Sequence, residues 1–342
     1  MDGKNVRITP ANLKGKVIDA HSHSGVAIPP YGRAEYPYAQ TIEGLYYQQL
    51  HGGVDVNITF PFSSDLYFDL PALIAGKYKK SRSAVSKAPF QMENLLLLRE
   101  VFDYCPELSC RFLPFISMDP LREPQSQARY IKKLLNKYPV YGIKINPATS
   151  QAPVIALLKK ESRCLLDLAR EQNWPILLHT TSQPEDQFSY VGNAFKVIDA
   201  NPDIRFCLAH CIIFSKPFLD RALATPNVWV DTAAFKIQVD VCRVLVERKD
   251  INRRDLIDAD FNDHNDVMAK ICADYGEKII WGTDSPAYAY ICRRRLNRTA
   301  WQEFNYKGTY DDEIRLLRRR PPAVRRKIAN RNTIRFLFGT AS

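Results

Sequence analysis

The chain has 342 residues, 46% hydrophobic and 25% charged, a composition that excludes a low-complexity or disordered protein. No run approaches 18 uninterrupted apolar residues, which excludes a membrane-spanning helix. Met1 to Arg7 has no apolar signal core, so the expectation is a cytoplasmic protein.

The eight cysteines are scattered, with no C-x-x-C pair, as reduced residues would be. Cys207 and Cys211, on either side of His210, read as small apolar fillers rather than ligands. The net charge of +11 is a C-terminal property, because 14 Lys and Arg against 4 Asp and Glu lie from Ile291 to Ser342. Nucleic acid or an acidic subunit surface could meet such a segment. Val324, Ile328, Ile334 and Leu337 recur at amphipathic spacing, however, and favour a solvated helix face.

In chain order, short apolar runs predict eight strands, at 16–20, 54–60, 111–117, 140–146, 175–179, 204–210, 227–232 and 278–283. Helical spacing marks 94–104, 125–137, 153–172, 188–200, 217–224 and 265–275, with Pro139, Pro175 and Pro202 where helices should stop. Strands separated by crossover helices pair in parallel, and eight such units predict an α/β fold of the closed (β/α)8 TIM-barrel type. An open doubly wound sheet would carry a glycine-rich phosphate turn after its first strand. This chain has His21-Ser22-His23-Ser24-Gly25-Val26 there instead. Elaborated loops follow strand 1 (28–38) and strand 2 (61–88). With no internal repeat or linker, the expectation is one domain over 1–342 with its core at about 16–339.

His21 and His23 end the first predicted strand, where residues two apart share a face and can share one ion. His179 ends the fifth strand, His210 the sixth, and Asp284 stands at the eighth. Barrel active sites are built at those C-terminal ends. Three imidazoles and a carboxylate suit a divalent ion such as zinc, which makes hydroxide available at neutral pH. An unligated imidazole beside it can move protons, a task that suits His210, and Asp284 can accept a proton from the nucleophilic water. His51 and His264 fall outside this pattern.

These motifs, together with Tyr141-Gly142-Ile143-Lys144-Ile145-Asn146-Pro147, Val228-Trp229-Val230-Asp231-Thr232 and Trp281-Gly282-Thr283-Asp284-Ser285-Pro286, resemble the successive strand ends of the amidohydrolase superfamily. The resemblance is strongest to the amidohydrolase-related branch of aminocarboxymuconate-semialdehyde decarboxylase-like enzymes and dicarboxylate lactonases. It runs from about Val17 to Gly339, and 327–339 is similar to that branch's final helix. It implies metal ligands His21, His23, His179 and Asp284, with His210 catalytic. It also implies one metal, zinc or else manganese, while a second metal bridged by a carboxylated Lys144 is the arrangement of other branches. Many relatives carry histidine where this chain has Asn146, a departure at a substrate-facing position.

Arg33 with Tyr31 and Tyr36, Lys144 and Tyr288 are the candidates for holding substrate, since relatives act on small carboxylated or cyclic compounds. The expected activity is hydrolysis of a small amide, lactone or ester by metal-bound hydroxide. Non-oxidative decarboxylation at the same site is the alternative, and a nuclease using the basic C-terminus ranks third. A homo-oligomer is compatible with the sequence; a membrane partner is not expected.

Overall fold

A computed structural model describes residues 7–27, 38–63, 65–82, 85–295 and 301–339. Arg33, Tyr31 and Tyr36 lie outside the described residues. Nine strands share one sheet: β1 (Ile18–Ala27), β2 (Tyr38–Gln40), β3 (Val56–Pro61), β4 (Phe112–Ser117), β5 (Gly142–Ile145), β6 (Ile176–Leu178), β7 (Phe206–Leu208), β8 (Val228–Asp231) and β9 (Ile279–Ile280). Their order is β2-β1-β3-β4-β5-β6-β7-β8-β9. Every pair is parallel except β1 with β2, which pair antiparallel through Gly25 and Gln40.

Six of the eight predicted strands contain a parallel strand shortened at its ends, while β3 runs one residue past the predicted 54–60 and β1 runs on from the predicted 16–20 to Ala27, carrying His21 and His23 within it. The sheet curls. The ladder itself ends at β9, and the chain beyond it meets β1 through single contacts. Ala20 N donates to Trp281 O at 2.9 Å, Asp284 N to His21 O at 2.8 Å, and His23 N to Ser285 O at 2.7 Å, beside a parallel bridge between Ser22 and Ser285.

Inside the curl, Ile18, Ile58, Phe60, Leu113, Phe115, Leu177 and Trp229 form one buried cluster, as the two-residue alternation of strands requires. Gly142 is needed there, because a Cβ would sit 2.4 Å from the Phe115 ring. The C-terminal helix Asn332–Phe338 plugs the end where the strands begin, with Phe336 against Phe115 and Trp229 at ring separations of 6.3 and 5.9 Å. Outside the sheet, the helices pack on a second and larger cluster.

Three helices differ from their predicted bounds. The 153–172 element is two 3-10 turns, Val154–Leu158 and Lys160–Ser162, followed by the α-helix Arg163–Glu171, because Lys159 is extended at ψ 146°. The 188–200 helix starts at Val191, since Asp186 takes the backbone N–H groups of Phe188 and Ser189. The 94–104 element is an α-helix, Gln91–Arg99, that widens into a π-turn over Glu100–Tyr104.

The amphipathic reading of the tail holds, with Ile328, Phe336 and Leu337 buried and Arg331 and Arg335 exposed. Arg293-Arg294-Arg295 lie on a hairpin of β10 (Ala289–Arg295) and β11 (Trp301–Lys307) that the sequence reading did not include. Of the loop after strand 2, Tyr67, Phe68 and Leu73 make a small core of their own with Tyr78 packed on it. No helix among the described residues is long and apolar enough to cross a membrane.

Candidate metal centre

Parallel strands bring their C-terminal ends to one rim, and four of them deliver the polar residues of this site. His21 and His23 extend from β1, His179 follows β6, His210 follows β7, and Asp284 stands beyond β9. All four imidazoles and the carboxylate are buried or nearly so. Asp284 Oδ1 lies 3.1 Å from both His21 Nε2 and His23 Nε2. His210 Nε2 lies 2.9 Å from His179 Nδ1.

Hydrogen bonds fix which nitrogens face inward. His21 Nδ1 donates to Asp231 Oδ2 at 2.8 Å and His210 Nδ1 to the Ala233 carbonyl at 3.0 Å, leaving Nε2 of each as the lone-pair atom. The Asp231 carboxylate also accepts the His210 backbone N–H at 2.9 Å, so a single side chain orients residues from two strands. His23 stacks on Phe62 at 4.3 Å, and its buried Nδ1 has no hydrogen-bond partner.

The backbone after β7 is unusual. His210, Cys211, Ile212, Ile213 and Phe214 all have φ between 49° and 63°, a left-handed turn that two β-branched residues join against their steric preference. Asp284 is likewise left-handed at φ 67°.

Burial sets the protonation states. It pushes His23 down to about 4, His210 below its ordinary value, and His179, which also faces His210, far below it. Burial pushes the Asp231 carboxyl up, but the charge and hydrogen bond of His21 more than reverse this and hold it at about 2. Asp284 is held well below the carboxylate range in the same way, by His21 and His23 against its own burial. His21 is raised, because Asp231 and Asp284 outweigh its burial and the nearby Lys144. The site therefore favours positive charge between two carboxylates while keeping three imidazoles neutral, the ligand form. These residues, imidazoles and a carboxylate converging in one buried place, fit a divalent cation in donor type.

The tightest three-donor group among the described residues is His21, His210 and Asp284, with ligand atoms within 4.8 Å of one another. This differs from the expected set. His210, expected to handle protons, stands among the donors, while His23 and His179 each touch one member of that group.

Lys144 is fully buried, with Nζ 3.1 Å from His21 Nε2 and 4.6 Å from the Phe60 ring centre. Burial lowers its pKa to about 8 against the pull of Asp231 and Asp284. Tyr288 does not face the cavity as expected of a substrate contact. Its half-buried side chain packs against Tyr310, and burial of the hydroxyl pushes its phenol far up. Cys207 and Cys211 are buried and raised well above the thiol range by burial, in keeping with fillers. His51 pairs with exposed Asp311 and His264 with Asp240, both away from the site.

Two carboxylates escaped the sequence reading. Asp231 closes the quoted Val228–Thr232 motif, at the same strand-end station as the ligands, and that position was the available signal. Asp19 receives Thr283 N at 2.9 Å and Thr283 Oγ1 at 2.6 Å, bracing β1 against the Asp284 segment; burial raises it to about 7 despite those bonds.

Asp231→Asn keeps the shape but removes the charge that orients His21. It is expected to weaken metal affinity about 10- to 100-fold, measured by chelator competition, with an unchanged far-ultraviolet spectrum.

A cavity of about 470 Å³ opens over these residues. His23, His179, His210 and Asp284 form its inner end; Asn146, Thr149, Gln151 and Gln183 supply uncharged polar groups, and Ile213, Ile237, Val241 and Leu245 an apolar wall.

The chain is similar to Metarhizium anisopliae IDCase in apo form (TM-score 0.54, 12% identity, 96% of this chain and 98% of that one). It is also similar to amidohydrolase 2 from Bifidobacterium longum subsp. infantis (0.51, 11%, 95% and 99%). A third is the beta-aspartyl dipeptidase of Fervidobacterium islandicum AW-1 in complex with beta-Asp-Leu dipeptide (0.54, 12%, 94% and 74%). At such identities the likeness is one of fold. No curated protein matches by sequence. The family model described as Amidohydrolase matches residues 61–339, and the chain belongs to the amidohydrolase family.

Proposed function

We propose that the protein is a metal-dependent hydrolase of a small amide, lactone or ester, built on one (β/α)8 barrel spanning about 16–339. The three backbone bonds between 20–23 and 281–285 support the barrel reading. The observation that carries the function is the convergence of His21, His210 and Asp284 within 4.8 Å. His23 and His179 stand beside them, and all five belong to strand ends that share one cavity.

One zinc or manganese ion would be held by His21, His23, His179 and Asp284, with His210 beside them. When bound, such an ion polarises a carbonyl and lowers the pKa of water toward about 7. The chain's own residues do the rest. Asp284, ionised through its histidine contacts, accepts a proton at Oδ1. His210, fixed by Ala233 at Nδ1, presents Nε2 for proton transfer. The amides of Asn146, Gln151 and Gln183 orient a polar substrate, and the apolar wall excludes water. Lys144 lies behind His21 rather than on the cavity, which suits holding charge balance at the centre.

That wall also favours the second reading, decarboxylation. A carboxylate placed against Ile213, Ile237 and Val241 is poorly solvated, which assists loss of carbon dioxide.

Elemental analysis of purified protein is expected to show about one zinc or manganese per chain, lost in His179→Ala. A screen of lactones, cyclic amides and carboxylated aromatics then separates ring opening from carbon dioxide release. A wild type empty of metal and inert toward all three classes would overturn both readings.

A further inference from the structure

At the opposite end of the sheet, where the strands begin, lies a cleft of about 970 Å³ that the catalytic reading does not use. Its floor is apolar, from Val17, Ile314, Leu317 and Ile334. Lys14, Arg318, Arg325, Arg326, Arg331 and Arg335 line it, and among the described residues no carboxylate does. Lys16, also on the rim, faces Asp55 at 3.7 Å. Glu277, which also feels the charge of Arg335, is paired with Lys327. Elsewhere the surface pairs its charges, as in Lys132 with Glu171, Arg170 with Asp203 and Arg221 with Asp199. Six cations gathered with no carboxylate among the described lining residues repel one another, a cost that a bound anion removes.

The cleft is also built. Asn330 Nδ2 donates to Leu13 O at 2.8 Å and Lys16 O at 2.7 Å, pinning the wall that carries Lys14. Arg318 donates to the Gly52 carbonyl at 3.1 Å, which fixes its guanidinium beside Gly53. An anchored guanidinium over an apolar floor is preorganised for an anion with an apolar body. The volume is that of a small-molecule site. Among the described residues no aromatic lines it, so they offer no stacking platform of the kind that single-stranded nucleic acid uses.

We propose that this cleft binds a small polyphosphorylated molecule with an apolar ring or chain, the phosphates on Arg318, Arg326 and Arg331 and the apolar part on Leu317 and Ile334. The site is independent of the metal centre and does not rest on the catalytic reading. Titration calorimetry of the full chain with ATP, inorganic tripolyphosphate and adenosine tests it. ATP is expected to bind, tripolyphosphate at least about tenfold more weakly, and adenosine not at all, since each lacks one half of the recognition. The double variant Arg326→Gln, Arg331→Gln should weaken ATP at least about tenfold with unchanged metal content and unliganded Tm. No ATP binding by the wild type, or equal binding by the variant, overturns the proposal. So does variant-sensitive binding of a short DNA duplex or of anionic vesicles in preference to ATP.

Discussion

Asp284→Ala is expected to release the metal and to lower kcat/KM by on the order of 10³-fold, the scale of losing one preorganised charge-stabilising group. Among the described residues the carboxylate is the one anion that touches both β1 histidines, at 3.1 Å each, and its left-handed backbone carries a bond from its N–H to His21 O. Removing it leaves His21 Nε2 facing Lys144 alone, an arrangement that repels a cation. Elemental analysis and steady-state kinetics check this together. Retained metal with activity within tenfold of wild type would take Asp284 out of the centre.

Gly282→Ala has the second large expected effect, although residue 282 bears no functional group. A Cβ there would stand 2.7 Å from His21 Cβ and 3.0 Å from His21 N, atoms that cannot rotate away. Either β1 or the 281–285 segment must shift, and overpacking of this kind costs about 1–3 kcal/mol. Because the shift separates His21 from Asp231 and Asp284, metal content should fall with stability. Gly308→Ala is the control, since its nearest neighbour would be an ordinary 3.7 Å away. Matching denaturation midpoints and metal contents for the two variants would contradict the steric argument.

The parallel strands were legible because they are buried on both faces, so each reads as a continuous apolar run. Position was legible for the same reason, and a polar residue at the end of such a run stands out, as His179 does after Ile176-Leu177-Leu178. What could not be read was side-chain pairing across the rim. His21 and Asp231 are 210 residues apart, and only the curl of the sheet makes Asp231 a partner rather than a turn residue. Likewise Lys144 and Leu177 face each other in register between β5 and β6, yet nothing local says that the lysine reaches His21. The β10–β11 hairpin was hidden by its composition, because three consecutive arginines mask any alternation. Tyr288 illustrates the opposite error, for a tyrosine just past a catalytic strand reads as a substrate contact until its packing is known.

The left-handed turn from His210 to Phe214 has a consequence for how this enzyme fails. Five residues at positive φ persist only while the side chains they carry are gripped from outside, and Phe214 is gripped by Phe235 and Phe261 at ring separations of 5.3 and 5.5 Å. Loosening either outer contact lets the turn relax toward ordinary backbone geometry and swings His210 away from Ala233 and His179. The helix beginning at Phe235 thus acts as a latch on the His210 imidazole. Mild heating or denaturant should silence the enzyme before the sheet melts.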